Sequence, residues 1–166
     1  MPKGEVLKSA NCLHAIGTAA VMCFPDGYLS YLELQIILKK IEAKQIILIL
    51  NQCYSGQFTR ISDNLENTVV ISQTEDVGYA FRSQRTPEKW ENEVWPFVKC
   101  IFDGFLPVVR ESKRKTISEA FEYMLKCNPN VQGVPTMADR PLLIEKPQIK
   151  YGRGLKRGCV FINNDD

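Results

Sequence analysis

An α/β domain with a mostly parallel sheet is the fold class this sequence predicts. Three observations point to it. The run Ile46–Leu50 is apolar at every position, and Thr68–Ser72 (TVVIS) is a second run of the same kind; both read as strands covered on two faces, which is how parallel strands read. A helix pattern directly precedes the first run and others follow the second, so helix and strand alternate as in α/β domains.

Roughly the first 20 residues are weakly patterned, and Pro25-Asp26-Gly27 reads as a turn. Ser30 and Glu33 then form the Ser-x-x-Glu capping box that opens a helix. Leu34, Ile37, Leu38 and Ile41 follow at helical spacing, with Lys39, Lys40, Glu42 and Lys44 assigned to the opposite face. Between the two strands, YSGQFTRISDNLEN is polar and irregular, and is expected to be a surface loop with room for a short helix. Residues 74–95 are polar and charged. Pro96 suits the first turn of a helix reaching Phe102, with Gly104 as its stop. Thr116 and Glu119 form a second capping box, ahead of Ala120, Phe121, Met124 and Leu125. Prolines at 129, 135, 141 and 147 make the following stretch loop-like, with short strands expected at 148–150 and 159–162.

At 166 residues, with 45% hydrophobic and 24% charged residues, the chain suits one globular domain spanning 1–166. A net charge of +2 is too small to argue for nucleic acid, and no apolar run approaches a membrane span. MPKGEVLKSANC lacks the apolar stretch of a signal peptide, so a cytoplasmic location and no membrane partner are expected. The six cysteines include no CxxC pair and the chain has a single histidine, a pattern that argues against a zinc site or other metal.

Chemistry is expected at the carboxyl ends of the strands, where open α/β sheets place their ligands. Cys53 stands just beyond one such end, followed by Ser55 and Gly56. The glycine is expected to allow a tight turn and the small serine to leave the approach open, with the following amides facing an oxyanion. A thiol nucleophile needs a base, and His14 is the only imidazole available. If Leu13 and His14 end one strand and the helix crosses over to a neighbouring parallel strand, both side chains meet on one edge of the sheet.

Histidine, turn, helix, apolar strand and Gln-Cys-Tyr-Ser-Gly resemble the caspase and legumain class of cysteine peptidases, most nearly its legumain-like branch. NQCYSGQF with NTVVISQT is similar to that family's cysteine strand, loop and next strand; SEAFEYM and KPQI are similar, more loosely, to its closing helix and last strand. The resemblance implies a caspase-like three-layer α/β/α fold lacking the usual N-terminal strands, since 13 residues precede His14. It implies Cys53 as nucleophile, His14 as general base, and an oxyanion hole from the backbone amides of Cys53 and Ala15, the latter standing where the family has glycine. The implied activity is peptide-bond hydrolysis on a peptide or protein substrate, with no cofactor. The shortened start leaves a strand edge open, so a homo-oligomer or a partner completing the sheet is expected.

Other residues carry weaker signals. Glu75 and Asp76 follow the second apolar strand and are candidates to bind a basic substrate residue, against a plainer reading as a solvated acidic loop. Trp90 and Trp95 suit a pocket wall or core packing. KYGRGLKRG, with Lys150, Arg153, Lys156 and Arg157, suits a phosphate or acidic partner, or more simply a solvated turn. Asn51 and Gln52 are expected to satisfy backbone groups at the strand end. Two rivals to the peptidase reading are a catalytically inactive caspase-like remnant acting as an interaction or assembly module, and a flavodoxin-like small-ligand binder. The second lacks a Gly-rich phosphate loop opening a helix.

Overall fold

The structure is a computed structural model that describes residues 15–16, 19–78, 96–111, 115–131, 144–156 and 161–162. It is a mixed α/β arrangement with small sheets. Strands β1 (Ala15–Ile16), β2 (Ala19–Phe24) and β3 (Gly27–Ser30) form an antiparallel ribbon around the expected Pro25-Asp26 turn. Helix α1 (Tyr31–Leu38) leads to β4 (Ile46–Leu50), a 3-10 helix (Ser55–Asp63) and β5 (Thr68–Ser72). After α2 (Pro96–Glu111) come β6 (Lys115–Thr116), α3 (Ile117–Cys127), β7 (Gln148–Tyr151) and β8 (Phe161–Ile162), with β6 and β8 paired antiparallel.

Both capping boxes form as their spacing predicts. The Glu33 amide donates to Ser30 Oγ (3.2 Å), while Ser30 N–H donates to Glu33 Oε2 (2.8 Å). That backbone donor, then the Ser30 hydroxyl, holds the Glu33 carboxyl below its usual pKa. At α3, Thr116 N–H donates to Glu119 Oε2 (2.7 Å) and the Glu119 amide to Thr116 Oγ1 (3.1 Å).

The sheet that leads to Cys53 runs β4-β5-β7. β4 and β5 are parallel, from Ile46 opposite Thr68 to Leu50 opposite Ser72. β7 joins β5 antiparallel, so the sheet is mixed rather than mostly parallel. Only β5 is buried throughout, because it lies between two strands. Its alternating side chains feed two apolar clusters. Val69 and Ile71 join Phe97, Ile101, Ile117, Phe121 and Met124 from α2 and α3; Val70 joins Leu38, Leu50, Phe58, Ile61 and Leu65. β4 is less enclosed than its sequence suggests, with Ile47 exposed and Ile46, Leu48 and Ile49 half-buried. It is an edge strand: among the described residues none pairs with its outer side.

Three further expectations change. The stretch after Cys53 is not a surface loop. Its 3-10 helix sends Phe58 and Ile61 into the core at a three-residue spacing, burying Ser55, Gln57, Thr59 and Ser62 with them. Gly104 does not stop α2 but lies inside it, because a Cβ there would sit 2.8 Å from the Ala120 carbonyl oxygen of α3; the glycine lets the two helices touch. And α1 ends at Leu38, so its inner face is Tyr31, Leu34, Gln35 and Leu38, while Ile37 and Ile41 are exposed. The buried Gln35 carboxamide oxygen accepts from Asn64 Nδ2 (3.1 Å).

Candidate functional site

Cys53 lies three residues past the end of β4, on the turn that leads into the 3-10 helix, and is half-buried. The bend comes from Tyr54, the one non-glycine residue with positive φ among those described (φ 57°, ψ 17°). A left-handed tyrosine costs about 1 kcal/mol or more and persists only where its surroundings fix it. Tyr54 N–H donates to the Gly78 carbonyl (2.7 Å). Ser55 N–H donates to Thr74 Oγ1 (3.1 Å), Thr74 N–H donates back to Ser55 Oγ (3.2 Å), and the two hydroxyls are 3.3 Å apart. Both residues of this clamp are fully buried.

Gly56 serves close approach rather than a special backbone angle. A Cβ at that position would lie 2.5 Å from the Glu75 carbonyl carbon and 2.6 Å from the Asp76 nitrogen, so glycine alone lets the cysteine turn seat against the segment after β5. Gln57 Nε2 reinforces the seat by donating to the Asp76 carbonyl (2.9 Å). Ser55 is likewise part of the clamp and not a small residue beside an open approach. Since the amides of Tyr54 and Ser55 both donate inward, the two amides following Cys53 are committed to the fold and not to an oxyanion.

The segment after β5 is pinned from its other side by Glu145, a buried carboxylate in the run leading to β7. It accepts from Gln73 Nε2 (2.7 Å), Asn128 Nδ2 (3.0 Å) and Asn130 Nδ2 (3.1 Å), while its amide donates to the Asn130 carbonyl (3.0 Å). The Gln73 amide in turn donates to the Leu50 carbonyl (3.0 Å), tying the ends of β4 and β5 together. This node is invisible in the sequence as a motif, because its four residues are scattered from position 73 to 145.

Glu75 and Asp76 lie at the carboxyl end of β5 beside the cysteine turn, as expected, but each is paired within the chain. Glu75 Oε1 meets Lys146 Nζ (2.9 Å) and Asp76 Oδ2 meets Arg60 Nη2 (3.3 Å). Asn51 and Gln52, expected to satisfy backbone groups at the strand end, each leave one side-chain atom unpartnered. Asn51 Oδ1 and Gln52 Nε2 are buried with no hydrogen-bond partner, as is Gln73 Oε1. In the KYGRGLKRG run Gly152 serves packing, since a Cβ there would lie 2.1 Å from the Leu65 carbonyl oxygen, and Lys150 pairs with Asp63 (2.8 Å).

His14, Trp90, Trp95 and Arg157 lie outside the described residues. Ala15 lies in β1, which pairs with β2 in the register Ala15 opposite Ala20 and not with β4. Of the other described thiols, Cys100 is buried and its pKa is pushed up, first by that burial and next by neighbouring Cys127, which is exposed. No described group of three or more His, Cys, Asp or Glu side chains is placed to hold a metal ion, and no described helix is long and apolar enough to cross a membrane. The chain matches no protein-family model, no curated protein and no solved structure.

Proposed function

We propose that this chain is a caspase-like cysteine peptidase of legumain type, with Cys53 as nucleophile and His14 as general base. The observation that carries the reading is the Cys53 turn itself. A cysteine stands beyond the carboxyl end of a parallel strand, on a left-handed bend that leads straight into a helix. Strained strand-to-helix turns of this kind display nucleophiles.

In the reaction, the Cys53 thiol gives its proton to His14 and the sulfur adds to a peptide carbonyl carbon. The oxyanion takes hydrogen bonds from the backbone amides of Cys53 and Ala15. The C–N bond breaks as His14 returns the proton to the departing amine, leaving a thioester. Water then adds with His14 as base, the C–S bond breaks, and the acid leaves with thiol and imidazole restored. No metal or organic cofactor takes part. Glu75 and Asp76 are weak candidates to steer a basic substrate residue, since their ion pairs with Lys146 and Arg60 must open first. The reading places the protein in the cytoplasm, with the outer edge of β4 covered by a second copy or by a partner that completes the sheet.

A second reading has one observation in its favour. Ala15 stands where the family has glycine, and a Cβ restricts the backbone that must aim that amide. On this reading the protein is an inactive interaction or assembly module. Incubating the purified chain with a mixture of unstructured peptides separates the two. The peptidase reading expects new peptide termini, lost in both Cys53→Ala and His14→Ala. Cleavage that survives Cys53→Ala, or binding of peptides without any cleavage, contradicts it.

A further inference from the structure

We propose that Thr74 is the positioning residue of the Cys53 turn, acting through one hydroxyl bonded to the chain on both sides of the cysteine. The assignment rests on Cys53 being the nucleophile of the reading above. Thr74 Oγ1 accepts the Ser55 N–H at 3.1 Å and lies 3.5 Å from the Gln52 carbonyl oxygen. Its single proton suits the carbonyl. Its two lone pairs suit the Ser55 amide and the Ser55 hydroxyl, 3.3 Å away. The Ser55 oxygen, having donated its proton, takes the Thr74 N–H at 3.2 Å. Every donor and acceptor in this set is used in one consistent proton arrangement. Gln52 and Ser55 flank Cys53 at close range, so the same oxygen brackets the nucleophile.

The hydroxyl is itself held from outside the turn. Ser72 Oγ donates to the Thr74 carbonyl (3.0 Å), and Gln73 is fixed by the Leu50 carbonyl and by Glu145. Thr74 therefore carries the position of two strand ends and the Glu145 node to the residues beside Cys53. Removing its oxygen leaves the buried Ser55 N–H without an acceptor. The left-handed bend at Tyr54, whose N–H donates to the Gly78 carbonyl (2.7 Å), then loses the Ser55–Thr74 bond beside it. A shift of about 1 Å in a reacting group costs on the order of a hundredfold in rate.

Two measurements on the full chain test this, with Thr74→Val as the variant that lacks the hydroxyl and Thr74→Ser as its conservative rescue. Amide hydrogen exchange at Ser55 reads the clamp. The ratio of Cys53 rate constants with peptidyl acyloxymethyl ketones and with iodoacetamide reads the placement of the sulfur, because only the peptidyl reagent needs an ordered site. Thr74→Val is expected to speed Ser55 exchange and to lower the rate ratio by about tenfold or more. Thr74→Ser is expected to stay within about twofold of the parent in both. Thr74→Ala replaces Thr74→Val if the valine chain does not fold. Unchanged exchange overturns the proposal, as does faster exchange with an unchanged ratio, or a serine variant as poor as the valine. A parent chain whose Cys53 shows no preference for the peptidyl reagents overturns the peptidase reading and this role with it; a selective parent with an insensitive variant overturns this role alone.

Discussion

At the scale of single residues, the charge that matters most to the strand-end edge is Glu145. Three carboxamides from Gln73, Asn128 and Asn130 surround a buried carboxylate, and together they join the end of β5, the end of α3 and the approach to β7. Glu145→Ala strands those three donors in the interior, so it is expected to cost about 3 kcal/mol of stability, read as a lower urea midpoint. A midpoint within error of the parent counts against the node. The place of Cys53 on the turn after β4 was legible in the sequence because a cysteine so soon after an apolar run is conspicuous on its own. Thr74 and Glu145 were not, because a polar residue after a strand, or a glutamate ahead of a proline, looks ordinary until its partners 19 or 72 positions away are known. The same limit applied to Gly56. Its need is close contact with Glu75, and the chain shows only a glycine near a bend.

Among the elements, those specified by near neighbours read correctly. The two capping boxes are i, i+3 patterns, and both formed. The Gly104 expectation failed for the opposite reason: a glycine in an apolar stretch fits a helix stop and a helix crossing equally well, and only the partner helix decides. That gives a contest between two effects. Alanine in a helix interior is favoured over glycine by about 1 kcal/mol. Against it, the new Cβ meets the Ala120 oxygen at 2.8 Å and the Ala120 Cα at 3.1 Å, both backbone and unable to rotate away. The clash is expected to win, so Gly104→Ala lowers stability by about 1–3 kcal/mol, the range for overpacking. A variant with a raised melting temperature shows instead that α2 and α3 separate at little cost. The burial of the 3-10 helix was missed because its two apolar anchors, Phe58 and Ile61, are diluted by polar residues that are buried by hydrogen bonds and not by hydrophobicity.

For the molecule as a whole, the sequence conveyed the α/β class and the two strands β4 and β5, since short aliphatic runs mark strands. It did not convey the antiparallel β7, whose partners in β5 lie about 80 positions earlier, nor that β4 stands at an edge in the described sheet. Several of the fold's special features do lie close to Cys53. The left-handed Tyr54, the Ser55–Thr74 clamp, the close approach of Gly56 and the orphaned amide atoms of Asn51, Gln52 and Gln73 all gather at the carboxyl ends of β4 and β5, around Cys53. The most direct measurement is therefore site-resolved mass spectrometry of the intact chain under limiting peptidyl electrophile. Cys53 is predicted to be consumed first, ahead of buried Cys100 and exposed Cys127, and to lose that lead in His14→Ala. Labelling of Cys53 no faster than Cys127, or a lead untouched by His14→Ala, would contradict a Cys53–His14 nucleophile.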